Sequence, residues 1–315
     1  MTTFMNFLIL GLTRGSMYAL IALGYTLVYG VLQLINFAHS EVFMSGAFGS
    51  YLVVHAIVGN GAGTANWAVP FVILIGVVSG AITAGAIAWV LERVAYRPLR
   101  KRGAPKLAFL ISAIGASFFL AQLAGKLFNR LTGNSFPNFF NINSGAFTIL
   151  GARVRVIQLI TIVSAIVLMF LLDRLVSRTK MGQGIRAVAE DAPTAALMGV
   201  DIDRTISRTF VIGGLLGGAA GFLFGLSFGF ENTMGFRPGI AAFAAAVLGG
   251  IGNIRGAMIG GLLLGLVENL VPTAPWVSEP WIGIKWTPVM SFVVLVLVLM
   301  FRPTGLLGER LGRAA

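Results

Sequence analysis

The sequence predicts an all-α protein, a polytopic transmembrane helical bundle of about eight or nine spans. Two observations carry that prediction. Hydrophobic residues make up 57% of the 315-residue chain and charged residues only 11%, whereas a soluble domain carries about a quarter charged residues. The apolar residues also fall in uninterrupted runs, and about 20 such residues in a helix cross the hydrocarbon layer.

The first uncharged run is Gly15–Ala38. The next, Val42–Leu91, is too long for one span, and Gly59-Asn60-Gly61-Ala62-Gly63-Thr64-Ala65-Asn66 divides it as a turn. Leu107–Gly125, Val156–Leu172 and Thr209–Phe230 follow. The last part holds two short runs, Pro238–Ile254 and Gly256–Val267, and a full one, Trp286–Phe301. The short pair either crosses twice or forms a re-entrant hairpin. Stacked spans make residues 1–315 one membrane domain, with a long connection over 174–208 and a tail over 302–315. The start, Met1 to Thr13, lacks the basic region of a cleavable signal peptide.

Basic residues set the orientation. The formal net charge is +12, and in a membrane protein that excess belongs to inner loops rather than to a nucleic-acid surface. Glu92–Lys106 carries Arg93, Arg97, Arg100, Lys101, Arg102 and Lys106. Asp173–Arg208 carries a second set, including Arg174, Arg186 and Arg204, and the tail adds Arg302, Arg310 and Arg313. An even number of spans separates these clusters if both short runs cross, so all three fit the cytoplasmic side. The N-terminus is then expected outside and the C-terminus inside. Lys126–Arg155 falls outside despite four basic residues, and its Asn129, Gly133, Asn134, Asn138, Asn141 and Asn143 suit an exposed loop.

Glycine, 41 residues, is clustered at small-xxx-small spacing over Gly213–Gly221 and Gly249–Gly265. That spacing lets helix backbones approach closely in lipid. Tight packing is the expectation for single residues, and a sliding interface for the array.

Catalytic signatures are missing. The chain has no phosphate loop, no zinc-protease helix and no nucleophile elbow. It has no cysteine and only two histidines, His39 and His55. No metal site or bound cofactor is therefore expected, and any ATP must be bound elsewhere. Of the acidic residues, Glu41, Glu231, Glu268 and Glu279 lie near the membrane. Glu41, beside the polar break Asn36-Phe37-Ala38-His39-Ser40, and Glu268 are candidates for deep functional carboxylates, but read first as interfacial groups at helix ends. Arg14 similarly reads as a snorkelling side chain. Polar residues on apolar spans, namely Ser16, Tyr18, Thr26, Asn36, Ser45, Ser112, Ser117, Gln122 and Ser227, either hydrogen-bond between helices or line a wet path.

The most structured polar element is the inner connection Met181–Asp201. A short helix is expected around Ile185–Ala189, with Arg186 and Glu190 at i,i+4. Pro193 suits the start of a second helix and Gly199 its C-terminal cap. A connection of this length with its own helix signals, where four to six residues are usual, fits a docking knob for a partner.

The stretches Gly15–Gly30, Asn36-Phe37-Ala38-His39, Gly46-Ala47-Phe48, Gly184–Gly199, Gly249–Gly256 and Phe301–Gly308, in this order along nearly the whole chain, resemble the branched-chain (hydrophobic) amino acid ABC transporter permease family, in its LivH-type half. The family pattern has glycine where this chain has Ser40. The resemblance implies the ABC importer permease fold and a bacterial inner-membrane protein working with partners. These are a second, LivM-like permease or a copy of this chain, two cytoplasmic ATPase subunits that bind ATP and magnesium, and a periplasmic substrate-binding protein. It further implies that Gly184, Arg186, Ala187, Glu190, Asp191, Ala195, Ala196 and Gly199 form the segment that couples to the ATPase. Ser16, Tyr18, Asn36, His39 and Glu41 are the candidates for the path and its gate. The alternatives are a permease of the same kind for amides or urea, and an ion-coupled secondary transporter for a small polar solute working alone.

Overall fold

A computed structural model describes residues 2–59, 68–132, 146–149, 152–231, 233–271 and 287–308. The chain opens with α1 (Thr2–Leu32), α2 (His39–Val58) and α3 (Val69–Leu91). A π-helical turn, Glu92–Tyr96, carries α3 into the short α4 (Arg97–Lys101). α5 (Lys106–Thr132) and α6 (Val156–Arg178) follow, with a hairpin of β1 (Ala146–Ile149) and β2 (Ala152–Arg155) between them. Two short helices, α7 (Lys180–Glu190) and α8 (Ala192–Leu197), lead to α9 (Ile202–Phe228), α10 (Phe236–Gly249), α11 (Ile254–Leu270) and α12 (Thr287–Phe301). Six helices, α1, α2, α3, α5, α6 and α9, are long and apolar enough to cross a membrane. The fold is the helical bundle expected, with one hairpin of two four-residue strands added.

Local chemistry sets the helix ends. Pro70 occupies the first turn of α3, where its missing N–H is no loss. The side chains of Asp201 and Asn253 accept from the N–H groups of Arg204 and Gly256, both at 3.0 Å, and so start α9 and α11. α6 and α9 absorb the ends of the predicted 174–208 connection, leaving Thr179–Asp201 between them. Of the predicted glycine-rich turn only Gly59 lies within the described residues, with φ +63. The loop residues Gly133, Asn134, Asn138, Asn141 and Asn143 lie outside them.

The glycine clusters are seams. α1 and α11 run antiparallel, with Gly15 against the backbone of Leu262 and Gly261 against Ala19. α2, α3 and α9 meet where Gly46, Gly80 and Gly218 touch backbone to backbone. Without lipid-water contrast between helices, such close van der Waals contact is the main source of association. The outward faces of α3, α5 and α6 carry Phe71, Ile82, Phe118, Ile166 and Phe170, all exposed, as a lipid-facing surface requires.

The first two basic clusters share one end of the bundle with Arg302 of the third, whose Arg310 and Arg313 lie outside the described residues. Arg97 and Arg100 pair with Asp203, joining the first cluster to the second. Asp173 pairs at 3.3 Å with Arg255, which begins α11 just after the α10–α11 turn. The tail docks on the same turn, where Leu306 and Leu307 donate to the carbonyls of Leu248 and Gly249 at 2.8 and 3.0 Å. Gly250 (φ +105) and Gly305 (φ +83) pack in this contact: a side chain on Gly305 would strike the Gly250 backbone, and one on Gly250 would strike the backbone of Gly308.

α10 settles the question of the short runs. Its 14 residues reach about 21 Å at 1.5 Å per residue, short of the roughly 30 Å hydrocarbon layer. Its first turn lies beside Ser40 and Glu41 at the start of α2. That start is itself deep, because the His39 ring sits against Gly24 of α1, about 12 Å from the Leu32 end by the same rise. α10 is thus a half-depth helix that runs from the bundle interior to the basic end.

Candidate translocation path and coupling surface

Three sites follow along the bundle axis. The first is the break between α1 and α2. Gln33 takes φ +53, and the chain turns back into the bundle. Asn36, 3% exposed, holds this turn: its Oδ1 accepts from the Ala38 N–H at 3.1 Å and from the Tyr96 hydroxyl at 2.7 Å. Tyr96 comes from the π-helical turn, so the break and the end of α3 are one unit. His39 packs edge-on against Tyr25 with ring centroids 5.0 Å apart, and its buried Nε2 has no hydrogen-bond partner among the described residues. Glu41 is buried, and a Cβ on Gly235 would lie 2.6 Å from its carboxylate. The Ser40 side chain, set where the family pattern has glycine, lies against Gly239 and donates to the Phe37 carbonyl at 2.9 Å.

The second site is a chamber of about 1200 Å³ at the end opposite the basic clusters. α1, α9, α10, α11 and α12 wall it, and the first turn of α10 (Phe236, Arg237) reaches into it. Tyr18, Arg14 and Glu268 lie on its wall. Arg14 and Tyr18 stand one helical turn apart on the same face of α1. The Tyr18 hydroxyl lies beside the Glu268 carboxylate, with Arg14 near both. Arg14 stacks over Phe228, 5.0 Å from the ring centroid. The Glu268 Oε2 and Ser291 Oγ are buried without a hydrogen-bond partner among the described residues.

Of the five residues expected on the path, Asn36, His39 and Glu41 meet at the break and Tyr18 faces the chamber. Ser16 is fully buried and donates to the Leu12 carbonyl at 2.7 Å, a bond within its own helix. Glu41 and Glu268, read first as interfacial, are 4% and 6% exposed and sit inside the protein. Their burial comes from helices far away in sequence, α10 over Glu41 and α1 over Glu268.

The third site is the α7–α8 surface. Thr179 caps α7, accepting from the Gly182 N–H at 3.1 Å. Asp191 caps α8, with its carboxylate taking the Thr194 N–H and hydroxyl. Those two bonds hold the Asp191 carboxyl below its usual pKa, the hydroxyl contributing most. Gly199, φ +84, ends the unit as predicted. Arg186 does not pair with Glu190 among the described residues; its guanidinium donates instead to the Val176 carbonyl at the end of α6. Ala195 is buried, Gly184 and Ala187 are half-buried, and Glu190, Asp191, Ala196 and Gly199 are exposed. Leu197 and Met198, which the sequence reading passed over, are 88% and 81% exposed. An apolar pair inside a charged connection was the signal that could have found them.

Behind this surface, Glu92 is completely buried against Arg100 at 3.2 Å, and Arg100 also reaches Asp203 at 2.5 Å. The cluster ties α3 and α4 to the first turn of α9.

The family model of the branched-chain amino acid transport system permease component matches residues 7–299. The high-affinity branched-chain amino acid transport system permease protein LivH of Salmonella typhimurium is 41% identical over 302 residues, covering 95% of this chain and 94% of its own. The LivH protein of Escherichia coli K12 is 40% identical over 305 residues, with 95% and 94% covered. The BraD permease protein of Pseudomonas aeruginosa is 41% identical over 305 residues, with 96% and 95% covered.

Proposed function

Because this chain belongs to the branched-chain amino acid transport permease family, we propose that it is the translocating subunit of an ATP-driven importer of branched-chain or related amino acids. Its basic end faces the cytoplasm of a bacterium, with the N-terminus outside, in keeping with the excess of Lys and Arg on inner loops. ATP and magnesium are bound and hydrolysed on two partner ATPase subunits. A second permease, paralogue or copy, completes the pore, and a periplasmic binding protein delivers the substrate.

The observation that carries this reading is the α7–α8 unit. Two capped helices hold Leu197 and Met198 out from the basic end, and exposed apolar residues beside polar ones are the usual mark of a partner surface. Force on α8 passes to α9 through the Asp201 cap and the Asp203 cluster, and to α1 where Gly30 approaches Ala189. The Asn36–Glu41 break, with the first turn of α10 packed against it, then serves as the inner part of the gate, since it interrupts the helix walls between the chamber and the basic end.

Reconstitution of the chain with its ATPases, second permease and binding protein into vesicles tests the proposal. Uptake of radiolabelled leucine that needs ATP on the ATPase side supports it. Uptake by the chain alone, driven by an ion gradient, refutes it in favour of a secondary transporter.

A further inference from the structure

The chamber opposite the coupling end has a composition that a mere water-filled vestibule does not need. Two cationic side chains, Arg14 and Arg237, face two carboxylates, Glu231 and Glu268. The remaining wall is largely aromatic and aliphatic, with Phe224, Phe228, Phe236 and Ile240 among its residues. Balanced charge within apolar walls selects neither a cation nor an anion. It suits a molecule carrying one charge of each sign and an apolar body.

Two further observations place the anchors. Glu268 is 6% exposed and Ser291 2%, and the Glu268 Oε2 and Ser291 Oγ in the wall have no partner among the described residues. A buried polar atom without a partner is costly and unusual, and both residues line the chamber, so the wall holds acceptor capacity that the fold itself leaves unused. Arg14 stacks on Phe228 and lies near Tyr18 and Glu268, but it makes no hydrogen bond or close ion pair among the described residues, and its planar fork matches a carboxylate.

We propose that the chamber is a receiving site for a free zwitterionic amino acid. Arg14 holds the carboxylate. Glu268, steadied by the Tyr18 hydroxyl and aided by Ser291, holds the ammonium. The aliphatic side chain lies against Phe228 and its neighbours. A chamber of about 1200 Å³ is at the large end of small-molecule pockets, so the site is loose and selects by charge placement more than by shape. The assignment rests on the amino-acid transport reading and names the residues that reading lacks.

The test uses the full chain in lipid nanodiscs and the reconstituted complex. Saturation-transfer NMR on the nanodiscs compares three probes: leucine, isopentylamine and 4-methylpentanoate. Leucine should bind more tightly than either single-charge probe by about tenfold or more, the usual loss with one charged hydrogen-bonded contact. Glu268→Gln should bring leucine down to the level of the acid, and Arg14→Gln to the level of the amine, while Arg14→Lys keeps the preference for a carboxylate. A purely structural Arg14–Glu268 contact would change stability without exchanging which probe binds. If the variants do not fold, the wild-type order of the three probes still decides, and equal binding of all three overturns the site. In the complex, ATP-driven leucine uptake with unchanged half-saturation in Glu268→Gln overturns the site and leaves the importer standing. A wild-type complex that takes up no amino acid overturns the importer itself.

Discussion

One of the closest helix contacts offers a direct measurement. At Gly218 of α9, an added Cβ would strike the Gly80 carbonyl of α3 and lie 2.6 Å from the Ala84 Cβ. A backbone carbonyl cannot swing aside as a side-chain tip can, so Gly218→Ala must push α3 and α9 apart. Inserting one methyl group into a filled core costs about 1–3 kcal/mol. The same exchange raises intrinsic helix propensity by about 1 kcal/mol, which blurs the result for a single variant. Gly115 of α5 removes that ambiguity, because it is exposed and a Cβ there meets nothing within 4 Å. Gly115→Ala carries the same propensity change and no crowding. The difference between the variants therefore isolates packing, about 1–3 kcal/mol in favour of Gly115→Ala. Unfolding of the purified chain in detergent, followed by tryptophan fluorescence, measures it. Equal stability for the two variants would refute the backbone contact among α2, α3 and α9.

Arg100→Ala leaves Glu92 buried and unpaired and should destabilise by about 3–5 kcal/mol, whereas Glu92→Leu with Arg100→Met should recover most of that; yields of folded protein and melting temperatures report both. Tyr96→Phe removes one buried hydrogen bond from Asn36, worth about 1 kcal/mol, and should loosen the break; replacing Asn36 and His39 by Ala should lower uptake, and uptake unchanged by that pair would remove the break from the gate. Leu197→Asp with Met198→Asp should abolish co-purification of the ATPases at unchanged melting temperature, since both side chains are exposed; Arg186→Glu and Gly199→Asp should weaken it too, and normal co-purification would remove the docking role. Folding lowers the Asp191 carboxyl pKa, so its support of α8 is present above the unfolded pKa and lost as pH falls through the folded one. Protection of the Thr194 amide from hydrogen exchange, corrected for the intrinsic pH dependence of exchange, should fall over that acidic window, and Thr194→Ala, which removes the hydroxyl bond but keeps the backbone one, should weaken the dependence.

What could be read from the sequence was what depends on neighbours along the chain. Run lengths gave the long helices. Pro193 and Gly199 bracketed α8, and the Arg/Lys clusters shared one end of the bundle as span counting requires. Pairings across the chain were not legible. Arg14 and Glu268 are far apart in sequence, and each alone looks like a group at a helix end. Only the antiparallel seam of α1 and α11, made by Gly15 and Gly261, brings them onto one wall. The depth of α10 was hidden for a related reason. The run Pro238–Ile254, short in sequence but open to a crossing, is shortened further because Gly250 and Gly252, both at positive φ, spend its end on a turn. The deep start of α2 likewise depends on Gln33 at φ +53, which nothing about a glutamine announces.

The same seams explain where the chamber lies. α9 packs on α1, α2 and α3, whereas α10 packs on α11 and α12 and touches α2 only at its start, and both groups share α1. Within each group the backbones touch at glycines, and close-packed contacts deform little. Between α9 and the α10–α12 group that close packing stops, and the chamber occupies the gap. At the basic end each group has its own fastening: the Glu92–Arg100–Asp203 cluster for α9, and the Leu306 and Leu307 hydrogen bonds for the α10–α11 turn. The chamber is therefore the least closely packed part of the wall between the two groups, whose remaining joints are α1 and the contact of α10 with the start of α2.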